Sequence, residues 1–189
     1  MRNFKTIAIA LLVAFGTTVA TAQTKKVDVV KSKISWVGKK VTGSHEGTVN
    51  LKEGSLEFKG KKLTGGTFTV DMNAIAVTDL KAGQGKEKLE GHLKADDFFG
   101  TEKFPTAKLH FTKVAAKQNG VYAVTADLTL KGITKPITFD ITVNGNKATS
   151  ALKIDRTKFD IKYGSGSFFD SLGDKAINDE FDLAVELAF

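Results

Sequence analysis

Residues 137–143, Ile-Thr-Phe-Asp-Ile-Thr-Val, alternate strictly between apolar and polar side chains. Successive side chains of an extended strand point to opposite faces, so Ile137, Phe139, Ile141 and Val143 share one face and the polar residues the other. Phe181, Leu183, Val185, Leu187 and Phe189 repeat the pattern against Asp182, Ala184, Glu186 and Ala188. Both segments read as half-buried antiparallel strands. Further strands are expected over 34–41, 48–59, 67–72, 107–114, 121–130 and 148–154, which makes about eight. Asn119-Gly120 and Asn144-Gly145 supply the positive-φ positions of tight hairpins, and 131–136 is expected to form a slightly longer turn. Pro136 can begin a strand but not occupy a ladder centre.

One stretch breaks the period. Between about Gly85 and Phe99, Leu89 and Leu93 stand four apart among charged residues, as on one face of a short helix; Gly91 weakens it by about 1 kcal/mol relative to alanine. About eight antiparallel strands with one apolar face must pack as a sandwich or close on themselves. Closure removes exposed edges, and at eight strands it leaves an interior that side chains fill or that holds one small ligand. The 14 phenylalanines favour an apolar cavity, although a solid core satisfies the composition equally.

The amino terminus has the pattern of a secretory leader. Arg2 and Lys5 precede an apolar run over 7–15, too short for a membrane span of about 20 residues, and Ala20-Thr21-Ala22 has the form cut by a signal peptidase. Residues 1–22 are therefore expected to be a signal peptide, and residues 23–189 one domain without a further membrane-spanning run. The chain has no cysteine, which excludes a lipid-anchoring Cys, a disulfide framework and thiolate chemistry. Without Arg2 and Lys5 the charge is 26 basic against 21 acidic residues, or +5. The lysines are scattered rather than blocked together with aromatics, so nucleic acid is not an expected partner.

Three segments carry a resemblance: GHLKADDFFGTEKFPTAKLHFTKV (91–114), ADLTLKGITKPITFDITV (126–143) and IDRTKFDIKYGSG (154–166). They are similar to the signature blocks of the bacterial YceI-like family, and the likeness runs from about Val27 to the carboxyl end. The resemblance implies an all-β fold, an exported eight-stranded antiparallel lipocalin-like barrel with one short helix near its mouth. It also implies an elongated apolar cavity for a polyisoprenoid or similar long-chain lipid. The chain departs from the family pattern in having Leu89-Glu90 where an Arg-Asp pair often stands, Ala126 for a glycine, and Asp160 for the glycine of a late Arg-x-x-Phe-Gly block. The last departure suggests a different local turn.

Catalytic readings are weaker. His92 with Asp96 or Asp97 could form an acid/base pair if the helix reaches that far, but a polar helix end beside the mouth explains the same residues. His45-Glu46 and His110 lack zinc-ligand spacing, and His110, alternating with Leu109 and Phe111, is expected to face outward. Neither serine in 164–167 has glycines at both −2 and +2, so there is no nucleophile elbow; 83–87 lacks the upstream glycine and the Ser/Thr of a P-loop.

The expected function is thus a periplasmic or secreted binding protein for a polyisoprenoid, an isoprenoid quinone or another long-chain lipid, with no catalytic cofactor and no metal. A homodimer is compatible with these patterns. Candidate ligand contacts on strands are Trp36, Phe68, Leu128 and Phe139. Near the mouth they are Phe98, Phe99 and Phe104, with Phe159, Tyr163, Phe168 and Phe169 in the last block. His92, Lys88 or Lys94 could meet a polar head group. An enzyme using His92 and Asp96 on a lipid or small apolar substrate, and a filled structural barrel without ligand, are the alternatives.

Overall fold

The computed structural model describes residues 21–189; the leader expected over 1–22 lies outside them apart from Thr21 and Ala22. The elements in chain order are β1 (Ala22–Lys26), β2 (Lys33–Lys40), β3 (Gly43–Lys59), β4 (Lys62–Val77), α1 (Lys86–Lys94), β5 (Thr106–Ala116), β6 (Val121–Leu130), β7 (Ile133–Asn144), β8 (Lys147–Asp155) and β9 (Ile177–Ala188). Each strand from β2 to β9 pairs antiparallel with its chain neighbours, β4 with β5 across the α1 connection and β8 with β9 across the connection over 156–176 included. The β2–β9 pairing, Ile34 opposite Val185 and Trp36 opposite Leu183, closes the ring at eight strands. The expected eight-stranded barrel is therefore present.

β1 lies outside the ring. It pairs with the far half of β3, Ala22 opposite Lys59 through Lys26 opposite Ser55, on the side of β3 that β2 has left. β3 and β4 are longer than their apolar runs suggest because register shifts near Thr48, Leu51 and Glu57 interrupt the alternation without ending the ladder. Such bulges insert a residue and bend the strand, which a small barrel requires.

The β6–β7 connection is tighter than expected. Lys131 (φ 50) and Gly132 (φ 76) form a two-residue turn with both residues left-handed, and Leu130 pairs directly with Ile133. Pro136 is therefore the fourth residue of β7 rather than the first. In this hairpin phase its nitrogen points away from β6, toward a side on which β8 makes no pairing at that level, so no ladder bond is lost.

Apolar side chains fill both ends of the barrel. One cluster, with Leu56, Phe58, Leu63, Phe111 and Tyr122, packs the end beneath Val27. The other, with Trp36, Met72, Ile75, Val77, Leu93, Phe98 and Phe99, packs the end covered by α1.

Candidate functional site

The inward faces of the strands enclose a cavity of about 200 Å³. Ile34, Trp36, Phe68, Val70, Leu128 and Phe139 belong to its walls, and Leu93, Phe98 and Phe99 form its lid. The rings of Phe98 and Phe99 meet edge-on at 5.0 Å, and Phe99 reaches Phe181 of β9 at 6.3 Å. Apart from the Trp36 indole, the polar side chains on the lining are those of Ser150, Arg156, Asn178 and Glu180. The Trp36 Nε1–H donates to the Thr48 carbonyl at 3.2 Å, which satisfies the one polar group of the ring and leaves its apolar body to the cavity.

The lid follows from local sequence. Left-handed Gly85 (φ 98) precedes α1, and Glu87 in the first turn accepts from the Gly83 N–H at 3.0 Å. Leu93 is the buried residue of α1, and the chain turns extended at Ala95. Bonds from the Phe99 N–H to the Leu93 carbonyl and from Thr101 to Lys94 then fold 95–101 back onto the helix end. The turn drives Phe98 and Phe99 inward, each 7% exposed. α1 is shorter than the expected 85–99, so the i,i+4 relation between His92 and Asp96 does not form. Asp96 instead pairs with Lys103 at the surface.

His92 packs its ring against Tyr163 at 4.4 Å and Phe98 at 5.4 Å. Its Nε2 is buried without a hydrogen-bond partner, and among the described residues no carboxylate bonds to it. It stands behind Phe98 rather than on the cavity wall. Of the other candidate contacts, Phe159 is buried (1% exposed) beside the cavity without lining it. Phe104 packs against the β6–β7 turn, where a Cβ on Gly132 would lie 2.7 Å from its Cε1. Tyr163, Phe168 and Phe169 lie in the segment before β9 and are about half exposed. Lys88 and Lys94 lie on α1 and do not line the cavity. The structure thus brings Trp36, Phe68, Phe98, Phe99, Leu128 and Phe139 to one cavity and leaves the rest around its lid.

The other histidines are apart. His45 meets Asp79 at 2.8 Å, and His110, exposed on the outside of β5, meets Thr67 at 3.2 Å. Among the described residues no three His, Cys, Asp or Glu gather as metal ligands.

Arg156 was not among the residues singled out by sequence. It is 2% exposed and lines the cavity at the lid end. Its Nε donates to the Asn178 carbonyl at 3.0 Å, Nη1 to Ile161 at 2.7 Å and Nη2 to Ile177 at 3.0 Å. Asp179 lies 3.7 Å from Nη2, and the guanidinium sits 5.7 Å from the centre of the Phe98 ring. Burial lowers the Arg156 pKa, opposed by Asp179 and Asp155. Burial alone would raise the Asp179 carboxyl, but hydrogen bonds from Ser165 and Ser167 and the charge of Arg156 hold it below the ordinary value. One guanidinium thus ties the 3-10 turn Arg156–Phe159 to the start of β9 and backs the lid. Asp160, which follows that turn, is left-handed (φ 58). A glycine takes that conformation freely and an aspartate tolerates it, so the exchange at this position demands no different turn.

Comparison with known proteins places these features in a family. The YceI-like domain family matches residues 26–189. A UPF0312 protein of Shewanella denitrificans is 40% identical over 92 residues, 49% of this chain and 46% of that one. A UPF0312 protein of Vibrio campbellii is 31% identical over 137 residues, 71% of this chain and 68% of that one. For most of these curated relatives, the first included, the match spans about half of their length. Among solved structures, Burkholderia cenocepacia BcnA superposes with a TM-score of 0.69 at 25% identity, over 86% of this chain and 99% of that one. A polyisoprenoid binding domain from Saccharophagus degradans superposes at 0.59 with 14% identity, over 86% and 95%. At that identity the second likeness shows the fold.

Proposed function

The chain belongs to the YceI-like domain family, and from that premise we propose that it is an exported, non-enzymatic binding protein for a polyisoprenoid or another long-chain apolar lipid, isoprenoid quinones included. The observation that carries the reading is the apolar cavity closed by Phe98 and Phe99. Each CH₂ moved from water into such a space contributes about 0.8 kcal/mol, so a long chain binds without an elaborate polar site. The name of the Saccharophagus degradans domain, a structural neighbour, supports the same ligand class. The leader pattern over 1–22 supports delivery to the periplasm or the medium.

The cavity, about 200 Å³, is smaller than the roughly 300–1,000 Å³ of common ligand pockets. A long chain therefore enters by displacing wall side chains. The lid phenylalanines suit that role, because they ride on a short segment between Gly85 and Gly100, both left-handed. His92 and Asp96 do not contribute acid/base chemistry, since one is enclosed by rings and the other is turned to solvent.

The test is organic extraction of protein purified without detergent, followed by mass spectrometry. One long-chain lipid class is expected in near-stoichiometric amount, and Leu128→Trp, which fills the cavity from β6, is expected to lose it while remaining folded. Wild-type protein that yields no lipid and fails to bind a fluorescent long-chain lipid would overturn the reading in favour of a filled barrel.

A further inference from the structure

The barrel is open toward the lid between β7 and β8. β6 and β7 pair over their full length, and β8 and β9 pair as far as Asp155 opposite Glu180. β7 and β8, however, pair only from Ile141 opposite Ser150 to Asn144 opposite Lys147. Toward the lid the two strands separate. The same register continued would set Phe139 against Leu152, Ile137 against Ile154 and Lys135 against Arg156. Phe139, Leu152, Ile137, Ile154 and Arg156 all line the cavity.

Lys135 is the exceptional member of that series. Its partner across β6 is Leu128, which lines the cavity, and side chains directly opposite in a ladder share a face. It therefore belongs to the inward set of β7 with Ile133, Ile137, Phe139 and Ile141. Those four are buried or half-buried, whereas Lys135 is exposed. The inner surface of the barrel meets solvent at this point. Of the carboxylates around this end of the barrel, Asp155 faces Lys158 at 3.6 Å, Asp160 faces Lys162 at 2.7 Å, Asp179 faces Arg156 at 3.7 Å and Glu180 on the cavity lining faces Lys153 at 3.9 Å, while Asp127, opposite Pro136, belongs to the outer face. Among the described residues Lys135 has no ion-pair partner, while the hydrocarbon walls of the seam begin one inward position away.

The geometry points to a head-group subsite at the lid end of the β7–β8 seam, where the Lys135 ammonium holds the carboxylate of an amphiphile whose chain lies among Ile137, Phe139, Leu152 and Ile154. This rests on the lipid-binding reading and adds to it both a location and a head-group chemistry. An ammonium facing an anion at a half-exposed site contributes about five- to tenfold in affinity, and less at high salt. A rival explanation exists in strand protection, because a lysine followed by proline on an unpaired edge discourages pairing with other chains. That role predicts aggregation on substitution and no preference among head groups.

Farnesol and farnesoic acid share one carbon skeleton and differ at the terminal group, so their affinities, measured by displacement of a fluorescent lipid from the purified protein at pH 8 and low salt, isolate the subsite. The acid is expected to bind about five- to tenfold more tightly than the alcohol. The ratio is expected to fall to about one in Lys135→Gln and to persist in Lys135→Arg. Equal affinities in wild type, or a ratio that survives in Lys135→Gln, would overturn the subsite and leave lipid binding standing. Failure of both compounds, together with failure of the fluorescent lipid, would instead remove the lipid-binding reading and the subsite with it.

Discussion

Gly47 faces Trp36 across the β2–β3 ladder so closely that a Cβ on it would lie 2.5 Å from the indole Cζ2 and would collide with the Ala76 carbonyl. The missing side chain is what lets the indole lie in the cavity wall. Gly47→Ala must displace a ladder carbonyl as well as the ring. Overpacking of this kind costs about 1–3 kcal/mol, so a urea midpoint below that of wild type with an unchanged slope is expected. An unaltered midpoint would mean that the β2–β4 wall is looser than this contact implies.

Trp36 is also the single tryptophan of the chain. Its ring borders the cavity, so a bound hydrocarbon chain replaces empty space or water beside it. Titration with a long-chain lipid is expected to shift tryptophan emission to shorter wavelength in a saturable way, and the shift should vanish in Leu128→Trp once the contribution of the added indole is subtracted. Saturable binding without any change in emission would place the ligand outside this cavity.

Phe98 and Phe99 hold the lid through each other and through Phe181. Truncating either removes contacts with the ligand and opens its exit. Loss of about 1.4 kcal/mol is tenfold in affinity, so Phe98→Ala and Phe99→Ala are each expected to release a fluorescent long-chain lipid at least about tenfold faster. Dissociation rates equal to wild type in both variants would show that the chain leaves by another route, with the β7–β8 seam as the next place to look.

The strands with clean alternation, β7 and β9, are legible because a period of two has a direct physical cause in the pleat. β1 is not legible: Ala-Gln-Thr-Lys-Lys has no alternation, and its place is set by backbone pairing to Ser55–Lys59 rather than by its own side chains. The ends of β3 and β4 are hidden in the sequence because bulges shift which parity faces inward. The end of α1 at Lys94 is not legible, since nothing in the residue types of 95–99 announces the extended Ala95 that reverses the chain. Arg156 stands at the head of the Arg-x-x-Phe block, but its role is not legible there, for its acceptors lie at Ile161, Ile177 and Asn178, and only the fold brings those carbonyls together. Lys135 is instructive in another way. Its parity was readable, but its significance depends on where β8 stops pairing.

His92 and Asp96 are expected to be dispensable for lipid retention. His92 is enclosed by Phe98 and Tyr163 with Nε2 unpaired, and Asp96 holds a surface lysine. A single head-group hydrogen bond contributes only about 0.5–1.5 kcal/mol net, so His92→Gln and Asp96→Asn should retain lipid within a few fold of wild type. Consumption of a substrate by purified wild-type protein, lost on either substitution, would establish the enzyme alternative.

Asp179, held by the hydroxyls of Ser165 and Ser167 and by the charge of Arg156, predicts how stability responds to acid. Asp179 is held below its ordinary carboxylate value of 3.8 in the folded chain, so its contribution is fully present above that value and is lost as pH falls through the lower, folded one. Asp179→Asn is therefore expected to reduce stability at neutral pH and to flatten its decline below about pH 4. Arg156→Lys separates charge from geometry: an ammonium can still face Asp179, but it cannot reach three carbonyls in the planar directions that a guanidinium serves. The buried Ile161 carbonyl and the part-buried Ile177 and Asn178 carbonyls would no longer all have donors, a loss on the order of 1–3 kcal/mol, measurable as a lower urea midpoint at pH 7. Asp179 would keep its cationic partner, so the acid limb of Arg156→Lys should retain the wild-type slope. A Lys variant as stable as wild type would show that the arginine acts only as a charge, and that the three carbonyl contacts do not hold the base of the lid.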